Sequence, residues 1–293
     1  MRQLLYLLRR ALFASFDDGL FTIAKGAAYS ALLSFFPILA TSATVLVQTR
    51  ADFVQKNLVS FLSTVLPPGT EDVVMQQFHF RGKRPVLLLI VATLLSLWAA
   101  SSVIKSLIDG FNAAYRVPRN RSILAHSWIG LMLALFSLVP LLGATSLILF
   151  GGAVETSVLR MIKVDPILNP FAGWWELLWR VTRYGVAFAA TATLTALLYY
   201  YGPYRRQRWK RVWPGAILAT ILWLLATAAF GWYVRNITNY NVLYGSVGTS
   251  IALLVWMYML AAIALFGCEF NAEFERLSVA KAPVMGEVNV RSG

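Results

Sequence analysis

From Asn236 to Cys268 the chain reads NITNYNVLYGSVGTSIALLVWMYMLAAIALFGC, 33 residues without a formal charge. It then turns polar at Glu269-Phe270-Asn271-Ala272-Glu273-Phe274-Glu275-Arg276. About 20 apolar residues in a helix cross a hydrocarbon core about 30 Å thick. This run is long enough to make a short turn, cross a bilayer and emerge again among charges. It decides the fold class: the chain is read as a membrane protein, and any function must work inside that constraint.

Towards the N-terminus, five more apolar blocks precede it. The expected spans are 26–48, 86–104, 128–152, 184–201, 212–234 and 242–268, none holding a formal charge. The chain is 58% hydrophobic and 13% charged, against about 25% charged in soluble domains. The prediction is an all-α polytopic membrane protein: six transmembrane helices with short interfacial amphipathic helices. Residues 1–278 would form one membrane domain, and 279–293 a polar, disordered tail. One cysteine, Cys268, excludes an internal disulfide and a cysteine-rich metal site. Leu4–Leu8 is too short for a signal-peptide core and is stopped by Arg9-Arg10.

The net charge of +13 raises nucleic acid as a partner, but the basic residues sit beside the spans, where anionic lipid headgroups would meet them. The expected partners are therefore membrane lipids and no nucleic acid; oligomeric state is left open. Six spans put both termini on one side. With that side inside, inner segments hold 16 Lys/Arg and outer ones 10. The short loops agree: 202–211 carries Arg205, Arg206, Arg208, Lys210 and Arg211, whereas 235–241 carries Arg235 alone. By the positive-inside rule both termini are expected in the cytoplasm, although Arg81, Lys83 and Arg84 pull the other way.

Arg2–Phe16 reads as an interfacial helix, or else as the first turns of a longer one. Asp52–Leu66 shows helical periodicity stopped by Pro67-Pro68-Gly69, with Thr70 as an N-cap for the residues after it. Ala153–Arg183, with Trp174, Trp175 and Trp179, is expected to form short helices against the outer leaflet.

Three polar patterns are candidates for function. In the first span Ser30, Ser34, Pro37, Thr41, Thr44 and Gln48 follow one another at intervals of 4, 3, 4, 3 and 4, one face of a helix. Pro37 frees the carbonyl of Leu33, which needs another partner at membrane depth. This face either packs a neighbouring helix through small residues or lines a polar cavity. The second span leaves the membrane on Trp98, Ser101, Lys105, Asp109, Asn112 and Arg116, where Asn112 would bond to Lys105 or Asp109. That stripe is either a solvated helix end or a polar mouth. At the far end, Glu269 and Glu273 share a helix face, and Glu273 is placed to pair with Arg276. They are read as solvated surface or as partners of the Arg205–Arg211 loop. The candidate path is therefore Ser30, Ser34, Pro37, Thr41, Lys105, Asp109 and Asn112. The candidate gate or network is Lys25, Arg205, Arg206, Glu269, Asn271 and Glu273.

No pattern points to an enzyme, a metal or a cofactor. His79 and His126 are the two histidines, far apart and on opposite predicted sides, so no zinc-ligand cluster exists. The chain has neither a phosphate-binding Gly-rich loop ending in Lys-Ser/Thr nor a Gly-x-Ser-x-Gly nucleophile.

Several stretches carry a resemblance. They are Lys25-Gly-Ala-Ala-Tyr-Ser-Ala-Leu-Leu-Ser-Phe-Phe-Pro37, Trp98-Ala-Ala-Ser-Ser102 with Phe111-Asn112, Pro203–Arg211 with Pro214-Gly-Ala216, Tyr244-Gly-Ser246, Trp256-Met-Tyr258 and Gly267-Cys-Glu-Phe-Asn271. In this order they resemble the YihY / virulence factor BrkB family of bacterial inner-membrane proteins, also called UPF0761. Cys268 stands where that family usually has a small residue such as Ala. The resemblance implies six spans, cytoplasmic termini and a role in envelope lipid handling or export. It also brings an old ribonuclease BN label, which the absence of a catalytic cluster speaks against. The function expected is thus a transporter or lipid-handling protein, with a non-transporting membrane scaffold as the alternative and a membrane nuclease as the least favoured.

Overall fold

The computed structural model describes residues 2–48, 86–118, 122, 124–140, 143, 172–236 and 245–280. Among these the fold is all-helical. The helices are α1 (Arg2–Asp17), α2 (Leu20–Gln48), α3 (Val86–Ala114), α4 (Leu124–Pro140), α5 (Ala172–Tyr201), α6 (Trp209–Asn236) and α7 (Gly245–Ala280). Five of them, α2, α3, α5, α6 and α7, are long and apolar enough to cross a membrane, and α4 is a shorter apolar helix.

Helices run well past the apolar blocks. α2 begins at Leu20, before the first block, and α3 continues unbroken to Ala114, through the whole Lys105–Asn112 stripe. Helical hydrogen bonding does not stop where a bilayer would, because charged side chains on a protruding turn cost nothing in water. The same reasoning corrects the Ala153–Arg183 expectation. Trp174 and Trp179 lie in the first turns of the 30-residue α5, not in separate short helices. The Asp52–Leu66 helix, Thr70, residues 153–171, the turn near Asn241 and the tail beyond Ala280 lie outside the described residues.

α1 is a helix of its own. Asp18 and Gly19 break it from α2, with Gly19 at φ 67°, a left-handed turn that glycine adopts without penalty. α1 packs on α7 through Leu7, Ala11 and Phe270, backed by Leu218, Phe266 and Leu277. Its outer side exposes Leu5, Phe13 and Phe16.

α7 is the hub: it touches α1, α2, α3 and α6. α2 lies along α3, and α5 along α6. The main core sits where α2 starts and α3 and α5 finish: Leu20, Ala24 and Ala27 meet Phe111, Ala114, Tyr199, Val212, Ala216, Leu265, Cys268 and Ala272. Small residues dominate because backbone proximity, not hydrophobic exclusion, drives helix association in lipid. Large apolar side chains such as Leu87, Leu94, Phe136, Val139, Leu224 and Trp232 are exposed instead, as suits contact with lipid tails.

The tightest crossing joins α6 to α7. A Cβ added to Gly215 would lie 2.0 Å from the carbonyl oxygen of Gly267, and one on Gly267 would lie 2.8 Å from that of Gly215. Only glycine permits this approach. Tyr199 fixes the same region from α5 by donating to the carbonyl of Ala264 at 2.5 Å.

Candidate functional site

Polar side chains collect at the end of the bundle that holds the core, and the structure sorts the sequence candidates into distinct settings. The first is the α2–α3 seam. Ser34 is 2% exposed and donates to the carbonyl of Ser30 at 2.6 Å. Thr41 and Ser96 share a hydrogen bond of 2.9 Å across the two helices. Ser30, Pro37 and Thr41 are half-buried. Of these contacts, the Thr41–Ser96 bond is the one that crosses from α2 to α3.

The second setting is the α3 stripe. Lys105 and Asp109 are half-buried and Asn112 is buried. Asn112 does not bond to Lys105 or Asp109, the partners that the spacing offered. Its Oδ1 accepts the backbone N–H of Tyr204 at 2.8 Å, from the loop between α5 and α6, because Asn112 lies on the α3 face turned to that loop. Its Nδ2 is buried without a partner. His126 of α4 comes to the same place: Nδ1 is hydrogen-bonded to the Tyr204 hydroxyl, and Nε2 lies 3.8 Å from Asp109 Oδ1. Sequence reasoning set His126 aside as a lone histidine. The available signal was that it is the sole titratable side chain in 124–140, directly after a basic segment.

The third setting is the end of α7. Glu269 is fully buried and Glu273 nearly so, which corrects the solvated-surface reading. Burial follows from α1 and the end of α3 packing against the extension of α7. Arg276 Nη1 donates to Glu269 Oε1 at 3.0 Å and also binds Glu273, while its Nη2 donates to the carbonyl of Ala114 at 2.6 Å. Arg10 of α1 pairs with Glu273. One oxygen of Glu269, Oε2, has no hydrogen-bond donor. The basic loop takes a different acid: Arg205 and Arg211 both donate to Glu275 Oε1, at 2.7 and 2.9 Å. Glu275, three residues from Ala272 of the core, thus replaces Glu269 and Glu273 as the loop's partner. Lys25 and Arg206 are exposed and stand apart from these ion pairs. Arg205 also lies over the Tyr115 ring, 4.7 Å from its centre. Burial pushes the Tyr115 phenol well above its usual range, so that ring remains neutral beside the guanidinium.

Asn271 has a role that spacing did not reveal. Its Oδ1 accepts the N–H of Gly215 at 2.7 Å and its Nδ2 donates to the carbonyl of Val212 at 2.9 Å. Pro214, between them, lacks an N–H near the start of α6. The side-chain amide of α7 bonds to the α6 backbone on either side of that proline.

Beside these polar groups lies an apolar groove of about 590 Å³ between α1 and the α6–α7 pair. Leu4, Tyr6 and Leu7 form one wall, Phe270, Phe274 and Leu277 the other, and Pro214 part of the lining. Gln3 and Ser278 are the polar side chains on it.

The sequence model of the virulence factor BrkB family matches residues 14–288, nearly the whole chain. The chain belongs to that family. Among BrkB relatives, the ribonuclease-like protein YfkH of Bacillus subtilis is 27% identical over 84% of this chain and 86% of its own length. A UPF0761 membrane protein of Pseudoalteromonas translucida is 26% identical over 87% of this chain and 81% of its own. One from Alkalilimnicola ehrlichii is 26% identical over 92% of this chain and 58% of its own. No solved structure matches. BrkB membership fits the all-helical, multi-pass architecture and the order of the motifs. Among the described residues no group of three or more His, Cys, Asp or Glu is placed to hold a metal ion.

Proposed function

We propose that this BrkB protein handles lipid in the bacterial inner membrane, with both termini in the cytoplasm, and that it does so without covalent chemistry. The observation that carries this reading is the groove between α1 and α6–α7. It is about 590 Å³, within the size range of small-molecule sites, and its walls are apolar. An apolar lining suits an acyl chain and does not suit a hydrated ion. The seam at Ser34 and Thr41, where Thr41 bonds directly to Ser96, argues against a water-wide path at that level.

In this reading α1 lies at the interface, with Phe13 and Phe16 toward lipid. The exposed Arg206, Arg208 and Lys210 beside the start of α6 meet anionic headgroups. Lys105, Asp109 and Asn112 are not part of the groove's lining and belong to the contact of α3 with α4 and the α5–α6 loop. Arg205, Glu269, Asn271 and Glu273 fix the helix ends beside the groove.

A second reading, a non-transporting scaffold, is favoured by the ion pairs that tie α1, α3, α7 and the α5–α6 loop together. A photoactivatable phospholipid, with the reactive group in its acyl chain, separates the two. Adducts concentrated on Tyr6, Phe274 and Leu277 are expected. Adducts spread evenly over Leu87, Phe136 and Leu224 as well would reject the groove as a lipid site.

A further inference from the structure

α4 meets α3 closely. A Cβ on Gly130 would lie 2.7 Å from the side chain of Lys105 and 3.3 Å from the carbonyl oxygen of Ser101. One turn earlier on α4, His126 is carried onto Asp109, one turn later on α3, as expected of antiparallel neighbours. The imidazole is 3% exposed. Its Nδ1 is bonded to the Tyr204 hydroxyl, and its Nε2 is 3.8 Å from Asp109 Oδ1. The Tyr204 backbone is held in turn by Asn112, whose buried Nδ2 has no acceptor.

We infer that His126 is a proton-binding site whose occupancy sets how firmly α4 is held to α3 and to the α5–α6 loop. In the neutral ring, Nδ1 accepts from the Tyr204 O–H and Nε2 carries its hydrogen toward Asp109. A proton arriving from the aqueous side goes to Nδ1. Both ring nitrogens then donate, so the Tyr204 oxygen turns from donor to acceptor and its own hydrogen is freed for another partner. The charge gained is met by the Asp109 carboxylate. Among the described residues, the groups that bear on the ring are Asp109 from α3 and Tyr204 from the loop, with Lys105 one turn away on α3; α4 offers no other titratable side chain. Arg205 is turned away, onto Glu275. A buried ring bridging three segments converts one proton into a change of attachment. Histidine is suited to this between about pH 5 and 8. The site gives the protein a means of coupling to a proton gradient, and it stands independently of whether the cargo is a lipid.

The test uses the full chain in nanodiscs, with His79→Gln so that one histidine remains. Imidazole ¹⁵N signals report protonation. Spin labels on Leu124→Cys and Arg208→Cys, in a Cys268→Ala background, report the distance from α4 to the loop. Expected are a one-proton titration of His126 and a distance change with the same midpoint. Asp109→Asn is expected to move that midpoint down by about one pH unit or more, since one unit corresponds to a modest lost charge interaction. His126→Gln should make the distance independent of pH, with helicity by circular dichroism unchanged. Three results overturn the proposal: no titration of His126 between about pH 5 and 8, titration without a distance change, or an Asp109→Asn midpoint equal to the parent's. The last uses a variant that keeps the histidine, so a misfolded His126→Gln does not leave the question open.

Discussion

Replacing Gly215 by alanine tests the crossing on which the charged end of the bundle is built. The new methyl carbon would sit 2.0 Å from the Gly267 carbonyl oxygen and 2.6 Å from the Asn271 side-chain amide. A relaxed carbon–oxygen contact is about 3.3–3.6 Å, so α6 and α7 must part by roughly 1 Å or more. Neither neighbour swings away easily, because one is backbone and the other is held by Val212. Overpacking of this kind costs about 1–3 kcal/mol. Separation also strains the two Asn271 hydrogen bonds, each worth about 0.6 kcal/mol on average between membrane helices. The expected loss is roughly 2–4 kcal/mol. Gly26 and Gly185 are controls, since a Cβ on either meets nothing within 4 Å. There, alanine should be neutral or stabilising by up to about 1 kcal/mol through helix propensity. Reversible denaturation in detergent micelles measures all three. If Gly215→Ala unfolds within about 0.5 kcal/mol of wild type, a size typical of inconsequential surface changes, the close crossing is not what holds these helices.

Further outcomes rest on the ion pairs and the chemistry. Arg276→Met, by stranding the buried Glu269 and Glu273, should cost about 3–5 kcal/mol in the same denaturation measurement. Arg116→Met should cost under about 1 kcal/mol, because in its pair with Asp18 at 3.0 Å the arginine side chain is largely exposed. Glu275→Gln should loosen the α5–α6 loop, seen as faster amide exchange at Arg205–Arg211, whereas Glu273→Gln should loosen α1. Purified protein supplied with zinc or magnesium should leave structured RNA intact in a gel assay. Cleavage that disappears with Glu269→Ala would reverse the non-enzymatic reading.

Much of this architecture was legible because membrane helices announce themselves by uncharged length. The 242–268 block and its polar exit at Glu269 gave α7, and the Arg2–Phe16 pattern gave α1 as a separate helix. The sequence carries the last helix on to about Ser278, close to the observed end of α7 at Ala280, but it does not say which helices cover that extension. Glu269 looks solvated on α7 alone and is buried once α1 and the end of α3 pack against it. The face carrying Ser34 and Thr41 was visible in the spacing. Its partner Ser96 was not, since periodicity names a face and not the helix opposite. His126 and Tyr204 are 78 residues apart, and only the turn of α4 onto α3 brings them together. Asn271 was picked out as polar, but its bonding on either side of Pro214 depends on a backbone approach that sequence does not encode locally.

The lipid-handling reading meets its most direct test in proteoliposomes made with bacterial envelope lipids. Fluorescent phospholipid movement between leaflets would be followed for wild type and for Tyr6→Glu, which places a charge on the groove wall without touching the α1–α7 core. Wild type is expected to accelerate movement over protein-free vesicles, and Tyr6→Glu to slow it while folding normally. Wild-type vesicles indistinguishable from empty ones, across the envelope lipids and with or without a proton gradient, would refute lipid handling.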